Sequence, residues 1–394
     1  MDYRVIANLF MLLFLGVADN QMIAALLPSL VQSMKISVGA AGLLVTVYSL
    51  AAALAAFVSG SLSDHYGRRR FLLAGVLVFA FASWLSSQSQ TYEELIFARA
   101  LTGLAAGTIS TCSIAFAGDW FAYAIRGRAI GLISTAYFAA PILGVPLASQ
   151  IADRYGWRQA FLLFGVLAFV VAVTSLALPN ETLDVHRSSE KLRATVQAFR
   201  SFLVRRDTVA AAVIAFLVSG GLVGFITYIG QWLNSHFDIP TRTIGWVFML
   251  GGVVAVATAP LGGTLSDKLG KRPVSIASNI ILAASIALIP FLHWGLWLLV
   301  AFAGTSLGAA FRQGPLTALM TELVPGVQRG SFIALRNVAS QLGIGAVALV
   351  GGLLYQRQGY IAVTTLCAVM TILVAVLLAT HIVEPQPVNE HPLS

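Results

Sequence analysis

The chain has 394 residues, of which 58% are hydrophobic and only 10% are charged. A soluble domain usually carries about 25% charged residues, so this composition excludes a water-soluble globular protein and makes lipid the solvent for much of the chain. The net charge of +8 does not indicate a nucleic-acid partner, because the basic residues gather in alternate loops between apolar stretches.

Apolar stretches long enough to cross a bilayer follow one another along the whole chain. They predict an all-α membrane protein with twelve transmembrane helices in two pseudo-symmetric bundles of six. Residues 1–178 are predicted to form the first bundle, 179–207 a connector, and 208–394 the second bundle with a short tail. The predicted helices lie near residues 5–31, 39–61, 70–88, 93–118, 129–152, 158–178, 208–233, 243–265, 273–292, 295–321, 331–354 and 359–383.

The loop charges predict the orientation of the chain. Sixteen Arg and Lys residues fall on one side of the predicted helices and five on the other, while three lie inside helices. Because basic loops stay on the cytoplasmic side, both termini and the connector are predicted to be cytoplasmic in the cell membrane. The basic connector is also placed to meet anionic lipid.

An internal repeat relates the two halves. Gly60-Ser-Leu-Ser-Asp64-His-Tyr-Gly67 recurs as Gly263-Thr-Leu-Ser-Asp267-Lys-Leu-Gly270, an offset of 203 residues (263 − 60 = 203). The same offset relates Gly42 to Gly245, Asp119 to Glu322, Arg126-Gly127 to Arg329-Gly330, and Gly156 to Gly359. Six helices per half is an even number, so the halves share one orientation, which favours a solute path between them.

The repeated segment, followed by Arg68, is predicted to be a tight cytoplasmic junction between the second and third helices. Gly60 and Gly67 are expected to allow close approach or unusual backbone angles. Asp64 is suited to pairing with an arginine, and Asp119 is placed to pair with Arg68. We interpret the cluster as part of a gate, with Gly263, Asp267, Gly270 and Glu322 as its counterpart; the alternative is plain orientation charge.

One acidic residue is predicted to lie deep in a helix. Asp19 is near the middle of the first helix, and a carboxylate at that depth costs several kcal/mol unless it is paired, protonated or facing water. Its proton affinity depends on burial and on any nearby cation. Two interpretations follow: Asp19 couples transport to protons with Arg99 on the fourth helix, or the two residues form a static structural pair.

Two basic residues, Arg312 and Arg336, are predicted to lie inside the tenth and eleventh helices. They form either a site for an anionic or polyhydroxylated solute, or a cytoplasmic gate by pairing with Glu322. The other candidates for solute contact are polar or aromatic residues in predicted helices, although an interface-anchor or packing role is favoured for each aromatic residue taken singly: Asn20, Gln21, Tyr48, Tyr228, Gln231, Trp232 and Gln313.

Two further motifs carry a family resemblance. The fourth helix contains Arg99-Ala-Leu-Thr-Gly103-x-x-x-Gly107, and the fifth contains Pro141-x-x-Gly144-Val-Pro146. With the repeated loop motif, they make the chain resemble major facilitator superfamily transporters, in particular the proton-antiporter branch that exports drugs and sugars. The proline-glycine motif of the fifth helix is interpreted as bending and packing, or alternatively as direct solute contact.

The resemblance implies a secondary active transporter that performs proton-coupled efflux of a small drug-like or sugar-like organic solute by alternating access. The alternative is uptake or uniport of an anionic or polyhydroxylated metabolite with Arg312 and Arg336. The sequence has no phosphate-binding Gly-x-x-x-x-Gly-Lys-Ser/Thr loop and no metal-spaced histidines, so neither an enzyme nor a cofactor is expected. The expected partners are the solute, protons and the lipid bilayer, and a monomer satisfies the fold.

Overall fold

The computed structural model describes residues 1–179, 201–202, 204–324 and 329–382, and these residues form twelve long helices. The first half contains α1 (Tyr3–Met34), α2 (Val38–Tyr66), α3 (Arg68–Gln88), α4 (Tyr92–Trp120), α5 (Tyr123–Ser134 and its continuation to Tyr155) and α6 (Trp157–Ser175). The second half contains α7 (Arg206–Phe237), α8 (Thr241–Leu269), α9 (Lys271–Leu288), α10 (Leu296–Thr321), α11 (Arg329–Gln358) and α12 (Tyr360–His381).

The prediction of twelve membrane helices in two bundles of six is confirmed. Within the described ranges, eleven helices are long and apolar enough to cross a membrane. The remaining one, α10, has 26 residues and carries Arg312 and Gln313, which lower its mean hydropathy. Most of the predicted connector, residues 180–200, lies outside the described residues, as does the tail from residue 383.

The second helix extends past the predicted junction, which corrects the interpretation of Gly60. Because α2 continues to Tyr66, Gly60 lies inside the helix, and a Cβ added there would meet only Thr111 at an ordinary 3.6 Å. Gly67 does require glycine, since its φ of 95° is in the left-handed region. The second half repeats this arrangement with Gly263 inside α8 and Gly270 at φ 94°.

Helix α5 is interrupted along its length. It runs as Tyr123–Ser134 and Ala136–Ala139, widens into a π turn at Ala140–Gly144, and resumes at Val145–Tyr155. Pro141 lies in the π turn and Pro146 lies two residues after it; neither has an N–H to donate to the helical ladder. The prolines therefore explain why the helix changes its winding at this point.

The two halves meet along the helix ends that lie away from the chain termini. Thr46 on α2 donates a hydrogen bond to the Gly345 carbonyl on α11 at 2.9 Å. At the crossing of α1 and α7, a Cβ added to Gly230 would lie 2.2 Å from the Ala24 carbonyl oxygen. On the terminal side, Gln313 of α10 is exposed.

The topology gives a first testable prediction. If both termini are cytoplasmic, as the loop charges predict, Glu190→Cys in the connector should resist an impermeant thiol reagent on intact cells and react only after permeabilisation. Gln90→Cys, in the exposed turn before α4, should react on intact cells and serves as the control. Rapid labelling at position 190 on intact cells would reverse the predicted orientation.

Candidate solute and proton site

A buried ion pair links α1 to α4. Arg99 donates from Nη1 to Asp19 Oδ2 at 2.6 Å, and both side chains are 0% exposed. Among the described residues, Asp19 Oδ1 and Arg99 Nε and Nη2 have no hydrogen-bond partner. The pair therefore rests on one charged contact in a buried setting, where unsatisfied polar groups are costly.

Aromatic rings surround the cation of this pair. The Arg99 guanidinium lies 4.6 Å from the centroid of the Tyr48 ring and 5.9 Å from that of Phe161. A cation over an aromatic face gains about 0.5–2 kcal/mol, more when it is desolvated. The Tyr48 hydroxyl donates to the Gly16 carbonyl at 3.0 Å, so α2 is joined to α1 close to Asp19.

The glycines of the α4 motif bring Arg99 close to α2. A Cβ at Gly103 would lie 2.3 Å from the Tyr48 carbonyl oxygen, and one at Gly107 would lie 2.3 Å from that of Ala52. Small residues four apart let two membrane helices approach closely. The spacing Arg99-x-x-x-Gly103-x-x-x-Gly107 thus places the arginine beside the closest contact between the helices.

The α5 motif lies where three helices meet. A Cβ added to Gly144 would lie 2.6 Å from Ala18 Cβ, next to Asp19 in sequence. Pro141 and Pro146 approach α8 at Gly252 and Gly245, where added Cβ atoms would lie 3.2 Å and 3.1 Å from them. These contacts favour bending and packing over direct solute contact.

The charged cluster at the α2–α3 junction follows the predicted pattern within the first half. Arg68 contacts Asp64 and Asp119, each at 2.5 Å, so it joins the end of α2 to the end of α4. Arg69 donates to the Leu176 carbonyl just after α6 at 2.6 Å. We call Asp64, Arg68 and Asp119 the junction cluster.

The second half repeats the cluster only in part. Lys271 contacts Glu322 at 2.5 Å, the counterpart of Arg68 with Asp119 at the same 203-residue offset. Arg272 donates to the Leu378 carbonyl at 2.9 Å and to that of Ala379, as Arg69 does in the first half. Asp267 is exposed and has no ion pair within the described part of the chain, so the second junction lacks the counterpart of the contact between Arg68 and Asp64.

A second prediction concerns the junction cluster. Asp64→Asn should leave a folded protein with several-fold slower transport, because the amide keeps the shape but loses the charged contact with Arg68. Asp267→Asn is the matched control and should transport like the unmodified chain. Turnover and thiol accessibility from both sides are the measurements; if Asp64→Asn leaves both unchanged, the cluster is not a gate.

The predicted pairing of Arg312 and Arg336 with Glu322 is wrong in this structure, because Glu322 is held by Lys271. Arg312 instead donates to Asn279 Oδ1 on α9 at 2.8 Å and to the Val218 carbonyl on α7 at 3.2 Å. Arg336 has no hydrogen bond or ion pair to any residue that the structure describes, and its Nε is buried without a partner.

The remaining solute-contact candidates divide into packed and accessible residues. Tyr228 is fully buried and donates to the Ala348 carbonyl, and Trp232 stacks on Tyr360 with ring centroids 5.1 Å apart. Tyr48, 3% exposed, is equally enclosed beside Arg99. The candidates with accessible surface or an unpartnered side-chain oxygen are Asn20, Gln21, Gln231 and Gln313.

Sequence reasoning missed three residues that shape these sites. Asn279 and Phe161 contact Arg312 and Arg99, but a single Asn or Phe in an apolar helix carries no signal of its own. Lys271 was predictable, because it stands 203 residues after Arg68.

Comparison with known proteins agrees with the fold and the motifs. The model of the Major Facilitator Superfamily matches residues 9–240 and 211–394. The chain is 26% identical to the uncharacterized MFS-type transporter YwfA of Bacillus subtilis over 91% of this chain and 87% of that protein. It is 24% identical to multidrug resistance protein 2 of the same organism, over 89% and 87% of the two chains.

A solved structure shows the same architecture. The crystal structure of a D-xylose-proton symporter superposes with a TM-score of 0.79 over 97% of this chain and 98% of that one, at 18% identity. The chain therefore belongs to the Major Facilitator Superfamily. It is a multi-pass membrane transporter of small-molecule solutes and not an enzyme.

Proposed function

We propose that this transporter exports a small organic solute in exchange for protons, with Asp19 as the proton-binding group and Arg99 as its switchable partner. The observation that carries the proposal is the single-contact ion pair at bilayer depth. A completely satisfied pair would resist change, whereas one oxygen of Asp19 has no hydrogen-bond partner in the described ranges and is suited to receiving a proton.

Protonation of Asp19 removes the charge that holds Arg99. The guanidinium then keeps the faces of Tyr48 and Phe161 as favourable neighbours, so its charge is not left without compensation. Each pKa unit of difference between two conformations corresponds to about 1.4 kcal/mol of coupling. A change in proton binding can therefore be converted into a preference for one conformation.

The location of the pair supports a coupling role. Asp19 adjoins Ala18, which packs on the π turn of α5, and α5 in turn packs on α8 of the other half. A shift of Arg99 and Asp19 would act on α1, which itself packs on α7 of the other half and so belongs to the surface along which the halves meet. Alternating access requires that surface to open and close.

Two features support export as the direction. The Arg99 motif of α4 resembles that of the proton-driven efflux branch, and one relative is named for multidrug resistance.

The test begins with a screen for solutes that stabilise the purified protein against heat. Each stabilising solute is then measured in proteoliposomes under an imposed pH difference, where solute movement should drive a counterflow of protons.

The second candidate is uptake or uniport of an anionic or polyhydroxylated metabolite that uses Arg312 and Arg336. The observation in its favour is that neither arginine has an acidic partner among the described residues. Flux without proton movement, unaffected by the pH difference, would favour this candidate over proton exchange.

A further inference from the structure

The internal repeat is broken where the two arginines of the second half lie. At the 203-residue offset, Arg312 corresponds to Ile109 and Arg336 to Ile133. Both isoleucines are buried, at 1% and 0% exposure, in the core of the first half. The fold therefore needs only apolar packing at these two places, and the charges there require another explanation.

Among the described helices, the buried basic residues outnumber the buried acidic residues. Asp19 is matched by Arg99, but Arg312 and Arg336 have no acidic partner in the described ranges. Arg312 is 2% exposed, contacts only a side-chain amide and a backbone carbonyl, and keeps its Nε unpartnered. A buried charge without a counter-charge costs several kcal/mol, so its retention at this depth points to function.

The two arginines flank the same stretch of α7. Arg312 on α10 reaches the Val218 carbonyl. On α11, Ser340 donates to the Ala215 carbonyl at 3.4 Å, and Arg336 lies one helical turn before Ser340 on the same helix face. Only the Nε of Arg336 is fully enclosed, so its two amino groups reach accessible space.

The accessible side of α10 carries polar groups of its own. On α10, Gly308 packs against Leu282 of α9 and Arg312 bonds to Asn279, so α9 covers this face of α10. Gln313 and Thr317 lie on the opposite face and are exposed. The wall formed by α7, α10 and α11 therefore presents polar groups next to two unneutralised cations.

We propose that this wall is an anion-binding site in which Arg336 pairs with the carboxylate or sulfonate of a small organic anion. Its planar guanidinium suits a carboxylate or sulfonate, and such charge-assisted hydrogen bonds are roughly twice as strong as neutral ones. Arg312 adds a fixed positive field from behind the wall. The inference rests on the proposed transport function only in that the bound anion is the solute carried.

The native chain offers a clean test, because Cys112 and Cys367 are both buried. Gln313→Cys places a single accessible thiol on the wall. Its reaction rates are measured in detergent with two methanethiosulfonates of similar size, one bearing a sulfonate and one a trimethylammonium group. The anionic reagent should react faster relative to the cationic one, and its rate should saturate with concentration because binding precedes reaction.

Arg336→Gln in the same background should lower the anion-to-cation rate ratio by about fivefold or more and make the anionic rate linear in concentration. Arg336→Lys should retain the ratio, and Gln90→Cys, far from the wall, should show no effect of either change. Equal ratios with and without Arg336, or a linear rate in both proteins, would overturn the anion site. Because the test measures no transport, it is independent of whether Asp19 couples flux to protons.

Discussion

Asp19→Asn is expected to abolish solute accumulation driven by a pH difference while leaving solute binding and downhill exchange measurable. The amide has nearly the shape of the carboxylate but cannot gain or release a proton. It also removes the charge that holds Arg99, which then depends on the rings of Tyr48 and Phe161. Flux in proteoliposomes, with and without an imposed pH difference, is the measurement.

The controls separate coupling from folding. Asp153→Asn, at an exposed site near the end of α5, should keep full pH-driven transport. Arg99→Gln should be the more damaging change, since it leaves the Asp19 carboxylate buried and unpaired, which costs about 3–5 kcal/mol in comparable pairs. If Asp19→Asn still concentrates solute against its gradient when only a pH difference is imposed, protons travel by another route or are not coupled.

The pairing of Asp19 with Arg99 was within reach of sequence reasoning because few charged residues lie deep in a membrane helix. Burial cost and depth restrict the partners of such a group, so both interpretations of Asp19 already included Arg99. The repeat made the junction predictable in a similar way, because one offset relates Asp119 to Glu322.

Other features depend on geometry that a single sequence does not encode. Gly60 and Gly67 look alike in the motif, but only Gly67 has the backbone angle that demands glycine. Glu322 was predicted to bind arginines within the helices, yet Lys271 lies closer at the helix end. The surface along which the halves meet depends on packing between distant helices, and no local sequence pattern indicates it.

Gly230→Ala is expected to open the contact between the halves on the side away from the termini. The added Cβ would lie 2.2 Å from the Ala24 carbonyl oxygen, a backbone atom that cannot rotate away. Helices α1 and α7 must therefore separate, or the chain must favour the conformation in which they are already apart. Overpacking typically costs about 1–3 kcal/mol, enough to shift a conformational equilibrium roughly tenfold.

A thiol placed in the contact reports its opening. The Thr46 side chain is 6% exposed where α2 meets α11. A Thr46→Cys thiol should therefore react slowly with a water-soluble reagent while the halves are closed. Adding Gly230→Ala should raise the rate about tenfold in purified protein, where the reagent reaches both sides.

Substitutions at two other glycines serve as controls for this increase in labelling rate. Gly263→Ala meets no atom within 4 Å and should leave the rate unchanged. Gly103→Ala meets the Tyr48 carbonyl oxygen at 2.3 Å inside one half, so it should lower thermal stability instead of opening the contact selectively. The clash at Gly230 lies between the halves and leaves the core of each half intact, so the labelling rate should rise while the melting temperature changes little. An unchanged rate at position 46 in the Gly230→Ala protein would mean that the α1–α7 crossing does not control closure.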